Sequence, residues 1–360
     1  MASMGEPAGK QNRRVTRGLP GKLALVVVSC AGSLVIMECL VRWILPVYDP
    51  RGMLSYYVGE NGVPLARKDF TGRQRKNTGD YDVSVRINQY GFRDSKDLSQ
   101  STREDLFVVG DSFSIGHGVE ERERYSDLLE NLLGRKVYNI SIPTDIAGYD
   151  RLVAYAEEHG AAIQNLLVAV CMENDLRDYE EGGALKRSRF RQAKAFLTAH
   201  SAVYNAMTTI VHENSQLNWV ASRTRLIAAD PMGLDSRFCS RAVESSVERL
   251  VAMLERHKIA NAIVIVIPSR GLWRGNTRQI QAKIHDDFVG LLRSHGLRII
   301  DLRRPFEEGG APLEYHFKND GHWNAKGHLK AAVTICRYLM DNGWARSDCE
   351  PSQTPCPAAR

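Results

Sequence analysis

Several features are missing from this sequence of 360 residues, and each absence excludes a class of protein. The seven cysteines form no Cys-x-x-Cys pair, which argues against a zinc site or a dithiol redox motif. No internal repeat is visible. The chain also lacks a basic face, because its first 22 residues hold five basic side chains against one acidic and so carry +4 of the net charge of +6. The charge pattern therefore gives no indication of a nucleic-acid partner.

One long apolar stretch is present, Leu23 to Leu45, and its only charged residues are Glu38 and Arg42. A helix of this length measures about 35 Å, enough to span a bilayer core. Glu38 and Arg42 are four residues apart, so we expect them to pair on one helix face. The basic tail precedes the span, and the positive-inside rule therefore places the N terminus in the cytoplasm. We predict a single-pass signal-anchor protein whose folded domain is periplasmic or otherwise extracytoplasmic.

Two other interpretations of this segment remain open. A cleaved signal peptide would need a small-residue cleavage site and a shorter apolar core. Val27-Val28-Ser29-Cys30 resembles a lipoprotein processing site, although only six apolar residues precede the cysteine.

At the other end of the chain, Cys349 and Cys356 lie in a proline-rich tail, where they are either bridged in an oxidising space or free.

From residue 106 onward, short apolar runs alternate with segments whose apolar residues have helical spacing. The predicted strands are Leu106–Val109, Lys136–Ile140, Asn165–Cys171, Ala262–Ile267 and Leu297–Leu302. The predicted helices are Tyr125–Leu133, Tyr149–His159, Arg241–His257, Gln279–Ser294 and Ala325–Met340. Alternation of this kind predicts an α/β fold, a three-layer α/β/α sandwich built on a five-stranded parallel sheet.

The pattern also predicts how the chain is divided. We expect a basic cytoplasmic tail (1–22), a transmembrane helix (23–45), a linker with a small β-rich attachment (46–105), the main α/β domain (106–342) and a flexible tail (343–360). In the attachment, Val83, Val85 and Ile87 alternate with polar residues, as in a half-buried strand. An insertion at 177–236 contains a helical segment around Ala193–Val211. It either forms a lid or substrate wall or is a solvated helical excursion.

The sequence Gly110-Asp111-Ser112 comes directly after the first predicted strand of the main domain. A serine there lies at the carboxyl edge of the sheet, where open α/β sheets bind their ligands. Its hydroxyl needs a general base to act as a nucleophile, and Asp320-Gly321-His322-Trp323 offers one together with an aspartate to orient it. Two alternatives remain. Ser112 could merely cap a helix, and Asp320 and His322 could bind zinc with His328, although no His-x-x-x-His spacing supports a metal.

These residues, together with Asn174-Asp175 after the third strand, resemble the SGNH/GDSL hydrolase family over residues 106–340. The resemblance implies a flavodoxin-like SGNH hydrolase domain with Ser112 as nucleophile, His322 as general base and Asp320 as its partner. It also implies an oxyanion hole formed by the Ser112 amide, the Asn174 side chain and the backbone of Thr144. Gly148 replaces Thr144 if the alignment is slipped by four residues.

The chain departs from the family pattern at three positions. Thr144 and Glu173 stand where the family has glycine, and Asn319 occupies the position three residues before the histidine that usually holds the aspartate. The shorter spacing, Asp-x-His followed by Trp, is similar to that of polysaccharide O-acetyltransferases of the alginate-modifying type.

We therefore predict a membrane-anchored serine esterase that acts through an acyl-Ser112 intermediate. Its expected substrate is an acylated small molecule or glycan, such as an O-acetyl group on an envelope or secreted glycan, and no cofactor or metal is expected. One alternative is an O-acyltransferase that uses the same triad. The other is a non-catalytic glycan-binding or scaffold protein with the same fold.

Overall fold

The computed structural model describes residues 19–177, 179, 189–223 and 240–344. The helices are α1 (Leu19–Ile44), α2 (Tyr125–Leu133), α3 (Ile146–Glu158), α4 (Arg189–His200), α5 (Ala202–Glu213), α6 (Ser215–Arg223), α7 (Ser240–Arg256), α8 (Arg278–Ser294), α9 (Arg303–Glu307) and α10 (Ala325–Asp341). The strands are β1 (Tyr56–Val58), β2 (Pro64–Ala66), β3 (Thr71–Arg75), β4 (Asp82–Arg86), β5 (Leu106–Gly110), β6 (Val137–Asn139), β7 (Asn165–Cys171), β8 (Asn261–Ile267) and β9 (Arg298–Asp301). Cys349 and Cys356 lie outside the described residues, as does most of the two predicted tails.

The chain divides into two compact units. One comprises the residues up to 51 together with 189–208, and the other comprises 52–188 and 209–360. The first unit contains α1. Among the described residues, α1 is the one helix long and apolar enough to cross a membrane, over the 23 residues Lys22–Ile44 with a mean hydropathy of 2.3.

Glu38 and Arg42 pair on one face of α1, as the sequence predicts, with a 2.7 Å contact. The Glu38 carboxylate also accepts hydrogen bonds from the Ala202 amide at 2.7 Å and from the Ser201 hydroxyl at 2.9 Å. It thereby caps α5, whose first amides have no partner within the helix. The segment expected to be helical around Ala193–Val211 comprises α4 and α5, which are separated at Ser201.

The second unit is built on a parallel sheet with the strand order β6-β5-β7-β8-β9. Counted along this sheet, the order is 2-1-3-4-5, that of flavodoxin-like folds. All five residues of β5 and all seven of β7 are buried, as expected for strands covered on both faces. The predicted fold class, a five-stranded parallel sheet between two layers of helices, is confirmed.

Two apolar cores cover the two faces of this sheet. One packs α3, α7 and α8 against it, and the other packs α2 and α10. Trp323, the largest fully buried side chain, belongs to the second core. Because Trp323 directly follows His322, this core fixes the backbone next to the predicted general base.

The segment before the sheet forms two antiparallel hairpins, β1–β2 and β3–β4. The alternation predicted for Val83 and Val85 is confirmed, since both are buried and their neighbours in β4 are exposed. Buried Arg93 donates hydrogen bonds to the carbonyl groups of Gly116 at 2.6 Å and Val119 at 2.8 Å. The attachment is thus bonded to the loop that follows β5.

A polar cluster joins α3 to the end of α7. His257 lies 3.0 Å from Asp150 through one ring nitrogen and 2.6 Å from Glu157 through the other. The hydrogen bond to Asp150, together with that to Glu157, raises the pKa of His257 above its ordinary value, despite the opposing effect of burial. The imidazole therefore bridges the two carboxylates, which both favour its protonated form.

We predict that His257→Gln destabilises the protein more at pH 5.5 than at pH 9. A histidine whose pKa is raised by folding contributes stability that is fully present below its unfolded pKa and is lost as the pH rises through the folded pKa. The measurement is the thermal unfolding midpoint of both proteins at the two pH values. His295→Gln, at an exposed position, is the control and should show no such pH dependence. An equal loss for His257→Gln at both pH values would contradict the assignment of a charged bridge.

Candidate active site

The loops that carry the predicted site residues leave the carboxyl ends of three neighbouring strands. Ser112 follows β5, Thr144 follows β6 and Asn174 follows β7. The chain reverses its direction across the sheet at β5, and this switch point is where flavodoxin-like sheets bind their ligands. Gly110 allows the tight exit from β5, because a Cβ atom there would lie 2.3 Å from the Ser114 hydroxyl.

The chain does not enter a helix directly after Ser112. The segment instead makes a single turn, in which the His117 amide donates to the Ser112 carbonyl group at 3.0 Å. Gly116 and Gly118 then adopt left-handed backbone angles (φ of 78° and 84°), which end the turn. Helix α2 begins only at Tyr125, so no helix dipole acts on Ser112.

Ser112, His322 and Asp320 form a hydrogen-bonded row. The Ser112 hydroxyl lies 2.8 Å from Nε2 of His322, and Nδ1 of His322 makes a short hydrogen bond to Oδ1 of Asp320. The same carboxylate oxygen accepts the His322 amide at 3.0 Å. This is the geometry in which an imidazole can take a proton from a serine while a carboxylate orients it. The neighbouring Ser114 is buried and bonds to the Tyr125 hydroxyl at 2.8 Å.

The loop that carries His322 is held on both sides. Trp323 is buried against Phe113 and Phe306, with ring centroids 5.0 and 5.1 Å away. Asn324 caps α10, since its side chain accepts the amides of Lys326 and Gly327. These contacts fix the backbone next to His322, so its ring is presented to Ser112 without the need for a mobile loop to close.

Asp320 is 4 % exposed and has partners on both carboxylate oxygens. Oδ2 lies 2.6 Å from Nζ of Lys76 and 3.4 Å from the Tyr81 hydroxyl. Burial favours the neutral acid, but the hydrogen bond from His322 and the charges of His322 and Lys76 outweigh it and hold the pKa of Asp320 well below its usual range. The ionised form of the carboxylate is therefore strongly favoured.

A second imidazole, His117, stacks on His322 with ring centroids 4.1 Å apart and planes 25° apart. Its Nδ1 lies 2.8 Å from the Gln74 amide nitrogen, and its Nε2 lies 2.6 Å from the Tyr81 hydroxyl. Burial and the nearby charge of His322 lower the pKa of His117 well below its ordinary value. His117 is thus a neutral ring that lies flat against the predicted base.

His117, Asp320 and His322 form one group of potential metal ligands among the described residues, with ligand atoms within 4.8 Å of one another. All four ring nitrogens of the two histidines already have protein partners in Gln74, Tyr81, Asp320 and Ser112. Metal binding would require breaking these hydrogen bonds. His328, the third ligand of the zinc alternative, is instead fully buried in α10, where its Nδ1 accepts the Tyr125 amide at 3.3 Å.

Asn174 is brought next to Ser112 through a shared partner. Its amide nitrogen and the Ser112 hydroxyl each lie 3.3 Å from Oδ2 of Asp111. Asp111 is fully buried, and burial raises its pKa. The Ser112 hydroxyl is 0.5 Å closer to His322 than to Asp111, so His322 is its principal partner.

Thr144 and Gly148 are the two alternatives for the second backbone amide of the oxyanion hole, and their hydrogen bonds differ. The Gly148 amide donates to the carbonyl oxygen of Asp145 at 2.8 Å and to its side chain at 3.1 Å, as part of the first turn of α3. Among the described residues, the Thr144 and Ser112 amides have no such acceptor. Gly148 is therefore a poor donor for a substrate oxygen, and Thr144 stays the prediction.

Glu173, which stands at a glycine position of the family pattern, makes a two-pronged ion pair with Arg270. The guanidinium of Arg270 lies 2.9 Å from Oε1 and 2.7 Å from Oε2 of Glu173, and the Arg270 amide lies 2.7 Å from Oε1. The guanidinium also packs on Gly321, where a Cβ atom would lie 2.4 Å from it. The ion pair therefore packs against Gly321, the residue between Asp320 and His322, and supports the loop that carries both.

Sequence reasoning missed four polar contributors around the site, namely Lys76, Tyr81, His117 and Arg270. None follows a periodic pattern or a motif, and Lys76, Tyr81 and Arg270 reach the site through contacts between segments far apart in the chain. His117 lies five residues from Ser112, which is the one local signal that could have drawn attention to it.

Neither a family model nor a curated protein matches the chain. Solved structures similar to it include a lipolytic protein of the G-D-S-L family from Veillonella parvula, at 9% identity and a TM-score of 0.40, over 66% of this chain and 98% of that one. A lipase/acylhydrolase from Enterococcus faecalis has 14% identity and a TM-score of 0.40, over 68% and 98%. An acetylxylan esterase from Geobacillus stearothermophilus has 13% identity and a TM-score of 0.37, over 70% and 100%.

We predict that Glu173→Ala lowers the free energy of unfolding by about 3 kcal/mol, because it removes the carboxylate that pairs with the mostly buried Arg270 guanidinium through two oxygens. The measurement is chemical unfolding of the full chain in detergent. Asp287→Ala, which breaks an exposed pair with Lys283, is the matched control and should cost less than about 1 kcal/mol. Equal losses in the two variants would contradict the supporting role of the Glu173–Arg270 pair.

Proposed function

We propose that the protein is a serine esterase that forms an acyl-enzyme on Ser112, with His322 as general base and Asp320 as its orienting partner. The observation that carries the proposal is the row of hydrogen bonds from the Ser112 hydroxyl through His322 to Asp320. The row lies at the switch point of the sheet, and it joins residues 210 positions apart in the sequence.

In the proposed first step, Oγ of Ser112 attacks the carbonyl carbon of an ester, and its proton passes to Nε2 of His322. The imidazolium that forms is held by the ionised Asp320 carboxylate. When the tetrahedral intermediate collapses, Nε2 returns the proton to the leaving alcohol, and the acyl group stays on Ser112. A water molecule, deprotonated by His322, then attacks the acyl carbon, and His322 returns the proton to Oγ of Ser112 as its bond to the acyl group breaks and the acid leaves.

The negative charge of the tetrahedral intermediate requires donors that are already in place. We assign this role to the Ser112 amide, the Asn174 side chain and the Thr144 amide. The Asn174 amide nitrogen lies 3.3 Å from the Asp111 carboxylate, which also lies 3.3 Å from the Ser112 hydroxyl. Loss of one such side-chain donor typically lowers kcat by a factor of about 10² to 10³.

We propose an O-acetyl group on an envelope or secreted glycan as the substrate. The support is the resemblance of the Asp320-Gly321-His322-Trp323 segment to polysaccharide O-acetyltransferases and the apolar helix α1 that follows a basic tail. Cys336 is disulfide-bonded, and disulfides persist in oxidising spaces, which also favours an extracytoplasmic domain.

The same Asp-x-His-Trp segment favours a second candidate function, transfer of the acyl group to a sugar hydroxyl instead of water. Hydrolysis and transfer share the acyl-Ser112 intermediate, so the triad supports both. They differ in the acceptor, and the product formed from an acetyl donor with and without an added glycan separates them.

We predict that a fluorophosphonate probe labels the full-length protein in detergent and that p-nitrophenyl acetate is turned over. Ser112→Ala and His322→Ala should abolish both signals, because each removes one end of the proton path. Asn174→Ala should lower kcat by about 10² with little change in KM. The measurement is gel-based labelling together with steady-state kinetics.

Ser114→Ala is the matched control, since it removes a hydroxyl two residues away that bonds to Tyr125 instead of His322. This variant should keep its labelling and turnover. A folded wild type that is neither labelled nor active would refute the esterase and favour the non-catalytic glycan-binding alternative.

A further inference from the structure

We propose that the β3–β4 hairpin is part of the catalytic apparatus, with Lys76 as a positioning residue that fixes the Asp320 carboxylate and limits the protonation of His322. The inference rests on the proposed esterase function. It assigns a role at the active site to a segment that precedes the α/β domain and that would otherwise pass for a structural attachment.

Lys76 lies in the turn that joins β3 to β4, where its amide donates to the Tyr81 carbonyl group at 3.0 Å. Its side chain is 38% exposed, yet Nζ lies 2.6 Å from Oδ2 of Asp320, whose side chain is only 3% exposed. The other oxygen of Asp320 serves His322. Because each oxygen has its own cationic or N–H partner, the plane of the carboxylate is fixed, and with it the direction of the bond to His322.

Two further residues of the hairpin, Tyr81 and Gln74, contact Asp320 or the His117 ring that stacks on His322. The Tyr81 hydroxyl lies between Nε2 of His117 and the Asp320 carboxylate, at 2.6 and 3.4 Å. The Gln74 side chain bonds Nδ1 of His117 and also accepts the Gly118 amide at 2.8 Å. The hairpin therefore holds the ring that stacks on His322 as well as the carboxylate that orients it.

A fourth contact ties the hairpin to the loop that carries the triad. The Asp80 carboxylate accepts the Asn319 amide at 3.0 Å, one residue before Asp320. Hairpin side chains thus contact both loops of the site, the one that follows β5 and the one that precedes α10. A hairpin that served only as packing would not need four polar side chains with hydrogen bonds or ion pairs to the catalytic loops.

The charge of Lys76 has a consequence for pH dependence. During acyl transfer His322 becomes an imidazolium, which Asp320 stabilises and Lys76 destabilises. Among the described residues, the ionisable groups around His322 are Asp320 on its own loop, Asp111 and His117 after β5, Lys76 and Tyr81 on the hairpin, the Arg270–Glu173 pair beside Gly321, and the buried rings of His316 and His328. Lys76 is the exposed cation in this set. Its removal should therefore make His322 easier to protonate.

The experiment compares wild type with Lys76→Met and Lys76→Arg, each as the full chain in detergent. Histidine is labelled with ¹³C, the His322 signal is assigned by its loss in His322→Gln, and its titration is followed by NMR. The pH dependence of kcat/KM is measured on the same samples with p-nitrophenyl acetate. Lys283→Met, which removes a lysine in an exposed pair on α8, is the matched control.

For Lys76→Met we expect the His322 titration midpoint to rise by about half a pH unit or more, since one nearby positive charge is lost. The acid limb of kcat/KM should move upward by the same amount, and kcat/KM at neutral pH should fall about tenfold as Asp320 loses its second partner. Lys76→Arg and Lys283→Met should keep the wild-type midpoint.

An unchanged His322 midpoint in Lys76→Met, with the thermal unfolding midpoint preserved, would overturn the inference. The NMR titration does not depend on turnover. If the wild type had no esterase activity while the His322 midpoint still moved in Lys76→Met, the esterase proposal would fail, whereas the coupling of the hairpin to His322 would stand.

Discussion

The Asp320 carboxylate is the group on which the arrangement of the site depends. It is buried, and burial of an unpaired charge is costly, so its ionised form requires partners on both oxygens. His322 and Lys76 provide them from opposite sides. One ion thus connects the loop before α10 with the β3–β4 hairpin, and the same ion directs Nε2 of His322 towards Ser112.

The parallel sheet positions the other residues of the site, namely Ser112, Thr144 and Asn174. Strand order places the ends of β5, β6 and β7 side by side, and the residues that follow them need only short loops to meet. This part was predictable, because buried strands and amphipathic helices leave local periodic patterns, and because Gly110-Asp111-Ser112 and Asp320-Gly321-His322 are recognisable in the sequence. The strand order is that of flavodoxin-like sheets, and the pairing of Ser112 with His322 is what the resemblance to the SGNH/GDSL family implies.

Other parts of the structure could not be predicted, because they depend on contacts between distant segments. Lys76 and Tyr81 stand in a polar turn that resembles any solvent-exposed hairpin. The break between α4 and α5 depends on Glu38, more than 160 residues earlier, whose carboxylate caps α5. The turn after Ser112 depends on Gly116 and Gly118, whose left-handed angles are set by the surrounding packing rather than by a helix-stop pattern.

The central claim is that Ser112 carries the acyl group during the reaction, and peptide mass spectrometry after acid quench tests it most directly. The full-length protein is mixed with p-nitrophenyl acetate for a few milliseconds to seconds, quenched and digested. We expect an added acetyl group on Ser112 in the wild type and none there in His322→Ala. Turnover without acetylation of Ser112, or acetylation that persists at Ser112 in His322→Ala to the same extent, would contradict it.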